Sequence, residues 1–209
     1  MKIGIIGATR GIGHALLSLI LETDHEVTVL ARNPARLKLI GPRLKVIRGD
    51  IVNLEAVKQL VAGQNAVCSC IGMMPTWKHV DVFSRGATNI LEAMGKDSSQ
   101  KFVAVTGIGA GDSKGHGGFL YDRIFNPLLL KTIYEDKDRE EAIIRASRVQ
   151  WMIVRPGFLT NGPRTGKYRA LVKMAGVKAG KISRMDVADF ILKELEKPRH
   201  FRKTLFLTY

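Results

Sequence analysis

The stretch "KIGIIGATRGIGHALLSLILETD", Lys2 to Asp24, constrains the fold more than any other part of the chain. A short isoleucine-rich run leads into Gly7, Gly11 and Gly13, and apolar residues at helical spacing follow. The β-branched "HEVTVLAR" comes next, so the segment reads as strand, glycine turn, helix and second strand. Such a unit points to a parallel sheet, because a strand that returns in the same direction needs a crossover, and the crossover is right-handed almost without exception.

The alternation persists to the end of the chain. "ARLKLIG" reads as a short helix, "LKVIRGD" as a strand, "NLEAVKQLVAGQ" as a helix beginning at Asn53, and "NAVCSCIG" as a buried strand. Then come helix "DVFSRGATNILEAM", strand "KFVAVTG", helix "IYEDKDREEAIIRAS", strand "WMIVRP", helix "RMDVADFILKELE" and a last strand "KTLFLTY". The predicted fold class is α/β: a single doubly wound parallel β-sheet, Rossmann-like, with helices on both faces. At 209 residues, 45% of them hydrophobic, and with no linker or repeat, residues 1–209 read as one domain.

Two irregular stretches follow strand C-termini, where ligands bind in open α/β sheets. They are "GIGAGDSKGHGGFLYDRIFNP", Gly107 to Pro127, whose glycines suggest a mobile cover, and "GFLTNGPRTGKYR", Gly157 to Arg169. Together they are placed to enclose a substrate.

The spacing GxxxGxG sits where a dinucleotide pyrophosphate meets backbone N–H groups at a helix N-terminus. Missing side chains permit a tight turn, close phosphate approach and close helix packing. The predicted cofactor contacts therefore run along Gly7, Thr9, Arg10, Gly11, Ile12 and Gly13. At the end of the second strand an NAD site places an acid against the ribose 2′-hydroxyl, but this chain has Arg32 and Asn33, with Arg36 one turn on. Guanidinium groups there, joined by Arg10 from the glycine turn, suit a 2′-phosphate and favour NADP(H) over NAD; the alternative for each arginine is a solvated surface charge. Asp50 closes the third strand, where its carboxylate can accept from the adenine amino group beside the Ile51 N–H, or else serve a turn or helix cap. Cys70, Ile71 and Gly72 end the fourth strand beside the ribose.

With these motifs in view, the chain resembles the short-chain dehydrogenase/reductase superfamily, in its atypical NAD(P)H-binding branch. The resemblance runs the whole length: GATRGIG, VLARNPARL, GDI, VAVTG, EDKDREEAIIRAS, WMIVRPGFLTNGPRTGKYR and ISRMDVADFIL. Within that branch it looks like the flavin reductase/biliverdin-IXβ reductase family, which implies NADPH-dependent reduction of flavins, tetrapyrroles and related acceptors. That family's serine after the fifth strand is matched here by Gly107, and its substrate-facing histidines fall on Glu141 and Phe158. The classical branch needs a tyrosine and a lysine four apart on one helical face. Tyr121 is followed at that spacing by Phe125, and Tyr134 by Asp138, so no such pair exists.

Lys137 remains on the helix after the glycine-rich stretch, placed to donate to the nicotinamide ribose; the alternative is a solvated helix with Glu135 paired to Arg139 and Lys137 to Glu141. Without a tyrosine–lysine acid, a simple ketone would leave its developing alkoxide poorly stabilised, whereas a conjugated acceptor spreads the added charge. The expected function is thus an NADPH-dependent oxidoreductase transferring hydride to a flavin (FMN, FAD or riboflavin), a tetrapyrrole or a quinone, mainly by proximity and orientation. Lys137, Tyr134 and Thr106 are the candidate catalytic residues; Thr106, Lys137, Pro156, Gly157 and Phe158 are further candidate cofactor contacts, and Thr106, Pro156 and Phe158 shape the acceptor face unless they serve ordinary packing. The alternatives are an NADP(H)-binding redox sensor without robust catalysis and, ranked last, a nucleotide-sugar epimerase.

A net charge of +14 is compatible with an anionic partner, whether nucleic acid, an acidic membrane surface or a phosphorylated small molecule. "KYRALVKMAGVKAGKISR", Lys167 to Arg184, holds six basic residues and no acid, which reads as a solvated surface or else as attraction for an acidic substrate or polyanion. No nucleic-acid motif or run of aromatics among basic residues accompanies them, so a small anionic acceptor is preferred. The five histidines lack metal-ligand spacing, and no metal is expected. Cys68 and Cys70 read as buried free thiols. No apolar run reaches the ~18 residues of a spanning helix and the start lacks signal-peptide layout, so a cytoplasmic monomer or weak oligomer is expected. Ser183 with Asp186 reads as a capping box before the last helix.

Overall fold

The computed structural model of the chain describes residues 1–95, 99–110, 130–173 and 180–209. Its strands are β1 (Lys2–Ile6), β2 (Glu26–Ala31), β3 (Leu44–Arg48), β4 (Ala66–Ser69), β5 (Lys101–Val105), β6 (Gln150–Pro156), β7 (Phe158–Thr160), β8 (Arg169–Leu171), β9 (Lys181–Ser183) and β10 (Lys203–Thr208). Its α-helices are α1 (Gly11–Leu21), α2 (Leu54–Val61), α3 (Val82–Met94), α4 (Lys131–Ala146) and α5 (Arg184–Glu196).

Eight strands form one sheet in the order β3-β2-β1-β4-β5-β6-β10-β8. The inner strands are near-continuous apolar runs because both of their faces are covered. Alternate residues of each strand feed opposite layers: Ile3, Ile5, Val27 and Val29 pack under α1 and α5, whereas Ile6, Leu30, Val67 and Phe102 pack under α2, α3 and α4. The chain order reverses on either side of β1, whose neighbours are β2 and β4, both parallel to it. This is the topological switch point, where the C-terminal strand ends splay their loops apart and open a crevice.

The doubly wound parallel sheet is therefore as expected, with two additions. The edge strand β8 runs antiparallel to β10, and β7 and β9 form a separate parallel pair. These three strands, each three residues long, fall in stretches read as irregular or basic surface. Three residues are too few for alternation to stand out from a loop.

The expected helix over "ARLKLIG" is corrected. Only a 3-10 turn, Pro34–Arg36, forms there, with Asn33 Oδ1 accepting the Ala35 N–H at 3.2 Å. Beyond it the chain is extended: Leu37 and Leu39 rest on the α1 side of the core while Lys38 and Ile40 face water. Pro42 lies just ahead and disfavours helix in the residue before it, so period-two burial wins over helix propensity. Among the described residues no helix is long and apolar enough to cross a membrane.

Candidate functional site

A cavity of about 450 Å³ opens at the switch point. Its floor is the glycine turn, from Ile6 to Arg10. Gly7 has φ +91°, and a Cβ there would stand 2.7 Å from the Cys70 carbonyl oxygen. Gly13 lies beneath the turn, where a Cβ would meet the Gly7 oxygen at 2.4 Å, so the start of α1 can approach the strand end only as glycine. Gly11, at φ +64°, has no heavy atom within 4 Å of its missing side chain. The N-cap residue of α1, Arg10, makes no side-chain cap bond. The N-terminal N–H groups and their partial positive charge are thus left for a ligand, an arrangement that suits a diphosphate.

Arg32 and Arg36 form a second wall with Asn33, and Asp50 and Ile51 a third. Arg32 is 81% exposed at its side chain and stands 4.0 Å from Asp50, a loose pair that leaves the guanidinium available. One Asp50 oxygen accepts the Val52 N–H at 3.2 Å, so the carboxylate serves a turn while its other oxygen faces Arg32. Arg10 donates to the Gly72 oxygen at 3.2 Å and ties the glycine turn to the chain after β4. Cys70, Ile71, Gly72 and Met73 complete that side. Burial pushes the Cys70 thiol up to about 12, so it lines the cavity as a neutral group. Both cysteines are free, Cys68 buried as expected but Cys70 only half-buried, because it borders the cavity.

Ten of the residues read as cofactor contacts thus line this cavity: Gly7, Thr9, Arg10, Arg32, Arg36, Asp50, Ile51, Cys70, Ile71 and Gly72. Gly11, Ile12 and Gly13 lie at the start of α1. Thr106, Lys137, Pro156, Gly157 and Phe158 do not line it and gather instead around the ends of β5 and β6. The sequence reading missed Val82 and Phe83, although they open the helix that follows β4 and so sit at another strand's C-terminal end.

The three candidate catalytic residues meet at the end of β5. Lys137 Nζ lies 3.4 Å from the Val105 oxygen and 4.1 Å from the centroid of the Phe83 ring, whose residue also lines the cavity. The Tyr134 hydroxyl stands 3.5 Å from where a Cβ on Gly107 would be. Tyr134 and Lys137 are three apart on α4, a spacing that also shares a face and that a search for four-residue spacing overlooks. Burial lowers the Lys137 pKa, partly offset by Glu140, Glu141 and Asp136.

The solvated-helix alternative for α4 is overturned, because Asp136, Lys137, Glu140 and Glu141 are all buried. Glu141 accepts from Arg155 through Nε at 2.9 Å and Nη2 at 2.6 Å, and from Arg145 at 2.7 Å. It also accepts the Thr106 hydroxyl at 2.8 Å, so Thr106 turns its oxygen lone pairs, not its proton, to other partners. The residue matched to a substrate-facing histidine is therefore the centre of a buried ion pair. Burial raises the Glu140 carboxyl to about 7, and its Oε2 has no hydrogen-bond partner among the described residues.

The stretch from Gly157 to Arg169 is fastened down. Asp186 accepts Thr165 N–H and Gly166 N–H, each at 2.8 Å, and the Thr165 hydroxyl at 2.7 Å. Asp189 accepts from Arg164 and from the Tyr168 hydroxyl at 2.7 Å, with Lys193 also at 2.7 Å. Burial alone would raise both carboxyls, but these hydrogen bonds outweigh it and hold them below the usual carboxylate range. The capping box is half formed. Ser183 Oγ accepts the Asp186 N–H, but the Ser183 N–H goes to the Tyr209 hydroxyl, which donates onward to Asp186. Residues 111–127 of the glycine-rich stretch, with His116, Tyr121 and Phe125, lie outside the described residues, as do 174–179 of the basic segment.

A family model described as NAD(P)H-binding matches residues 7–198. The chain belongs to the NAD(P)H-binding family. Its nicotinamide cofactor is thereby established as a class. One relative, a Bacillus subtilis protein described as the uncharacterized sugar epimerase YhfK, is 27% identical over 100% of this chain and 94% of its own. Among solved structures, the anaerobilin reductase ChuY of Escherichia coli superposes with a TM-score of 0.84 at 20% identity, covering 100% of this chain and 97% of that one. A short-chain dehydrogenase/reductase of Veillonella parvula, solved in complex with NADP, gives a TM-score of 0.82 at 19% identity over 100% and 94% of the two chains. At these identities the structural likenesses speak for the shared fold of this NAD(P)H-binding protein.

Proposed function

We propose that this family member is an NADPH-dependent oxidoreductase that reduces a conjugated acceptor, such as a flavin, a tetrapyrrole or a quinone. The observation that carries the reading is the cavity at the switch point, where a glycine turn and an uncapped helix start adjoin Arg10, Arg32 and Arg36, with arginine standing at the end of β2 where an NAD site would place an acid. Gly7, Thr9 and the Gly11–Gly13 backbone would hold the diphosphate, Arg32 and Arg36 the 2′-phosphate, and Asp50 with Ile51 the adenine.

Bound there, NADPH would supply two electrons and a hydrogen nucleus as hydride. Lys137, 4.1 Å from the Phe83 ring, would donate to the nicotinamide ribose. Thr106, its proton committed to Glu141, can accept but not donate toward the reacting face. The proton that balances the reduction then comes from the Tyr134 hydroxyl or from solvent, which suffices for an acceptor that delocalises the added charge. Pro156, Gly157 and Phe158 would border the acceptor.

NADPH oxidation measured against flavin, biliverdin and quinone tests the reading, with Arg32→Ala as the comparison. Losing one exposed guanidinium–phosphate contact is expected to raise the KM for NADPH about tenfold, worth ~1.4 kcal/mol, and to leave NADH unchanged. An equal effect on both cofactors would remove the phosphate pocket. The burial of Lys137 under Phe83 and the committed Thr106 hydroxyl favour one second reading, an NADP(H) sensor. Tight NADPH binding by calorimetry with no turnover of any acceptor would select it. Epimerase chemistry, suggested by the Bacillus relative, would need turnover of a nucleotide sugar.

A further inference from the structure

The buried Asp136 belongs to α4, but its carboxylate serves another helix. Its Oδ2 accepts the Phe83 N–H at 2.8 Å and the Ser84 N–H at 3.4 Å, and its Oδ1 accepts the Ser84 hydroxyl at 2.5 Å. Counting from the N-cap Asp81, Phe83 and Ser84 are the second and third residues of α3, the two whose N–H groups a capping side chain normally satisfies. Asp81 makes no side-chain cap bond, and its carboxylate pairs with Arg85 at 3.2 Å instead. The cap of α3 is therefore supplied from across the helix–helix interface, and its negative charge suits the positive end of the helix.

Two further bonds fasten the chain just before α3 to the same helix. Arg139 donates to the Val80 oxygen at 2.8 Å, and the Thr132 hydroxyl donates to the Thr76 oxygen at 3.1 Å; within α4, Arg139 also donates to Asp136 Oδ1 at 3.2 Å. What the cap holds is decisive for the site. Phe83 is 1% exposed and lines the cavity, while its ring faces the Lys137 ammonium at 4.1 Å. An uncapped first turn frays, and the residue displaced by fraying here is the one between the cavity and Lys137.

We propose that Asp136 is a positioning residue of the cofactor site: by capping α3 from α4, it holds Phe83 between the switch-point cavity and Lys137. This rests on the reading that the cavity takes NADP(H). It adds that α3 and α4 act as one unit there, so the cavity wall and the ribose-directed lysine are set together.

The test is NADPH affinity, by titration calorimetry, and thermal melting of the full chain as wild type, Asp136→Ala, Asp136→Asn and Phe83→Leu. Asp136→Ala is expected to weaken NADPH binding about tenfold, and Phe83→Leu, which keeps an apolar side chain without the ring, about threefold to tenfold. Asparagine caps as well as aspartate does, so Asp136→Asn should recover most of the loss. Melting that drops in Asp136→Ala with undiminished NADPH affinity would make the cap purely structural and overturn the proposal. Should Asp136→Ala fail to fold, wild-type affinity in a folded Phe83→Leu protein would overturn it equally. A wild type that binds no NADPH would sink the reading of the cavity itself, a result distinct from either.

Discussion

Replacing Glu141 by alanine should unfold this protein more readily rather than alter its choice of acceptor. Glu141 is 1% exposed, and the Arg155 side chain that grips it at two points is 3% exposed. Without the carboxylate, the buried Arg155 charge loses the group that grips it at two points, and breaking a buried pair in this way typically costs about 3–5 kcal/mol. The Thr106 hydroxyl loses its acceptor as well, whereas Arg145, 41% exposed, can turn to water. Because these losses overlap, about 4 kcal/mol in all is the expected cost. With a urea dependence of about 3 kcal/mol per molar for a chain of this size, the midpoint should fall by about 1.3 M. Glu141→Gln keeps an oxygen for Thr106 and should fall roughly half as far. The assay is urea unfolding followed by fluorescence, beside acceptor KM and kcat at a denaturant-free temperature where every variant is folded. A midpoint lowered by less than about 0.3 M, with a tenfold change in acceptor kinetics, would refute the argument and return Glu141 to the substrate-facing role that its match to a histidine suggests.

Gly13→Ala places a methyl group 2.4 Å from a backbone oxygen that cannot move without opening the turn. It should lower the melting temperature by about 5 °C and abolish the upward shift that NADPH gives the wild type. A variant stabilised by NADPH as fully as the wild type would count against the close approach of α1 to β1. Glu140 gives a pH signature of defined sign. Its folded-state pKa, raised to about 7 by burial, means that its contribution to stability is intact below the ordinary carboxylate range and is lost as pH rises through about 7. Glu140→Gln should match the wild type near pH 4 in urea midpoint and exceed it at pH 8; parallel curves at both pH values would show that Glu140 ionises normally.

Local pattern alone determined much of this protein. Periodicity placed the seven longer strands of the sheet and the five α-helices found among the described residues, and the glycine spacing between β1 and α1 marked the switch-point crevice. These features are legible because each depends on residues adjacent in the chain: a strand buried on both faces must be apolar throughout, and a turn with no room for side chains must be glycine. The charged face of α4 was not legible. Asp136, Lys137, Glu140 and Glu141 look locally like a solvated helix surface, and they are buried only because Phe83, Thr106 and Arg155 arrive from other elements to meet them. The same holds for Asp186 and Asp189, whose partners include Arg164, Thr165 and Tyr168 from a stretch that its glycines and prolines mark as loop. Burying a charge is tolerable only when its partner is already in place, and that partner is chosen by the fold, far along the chain, rather than by its neighbours in sequence.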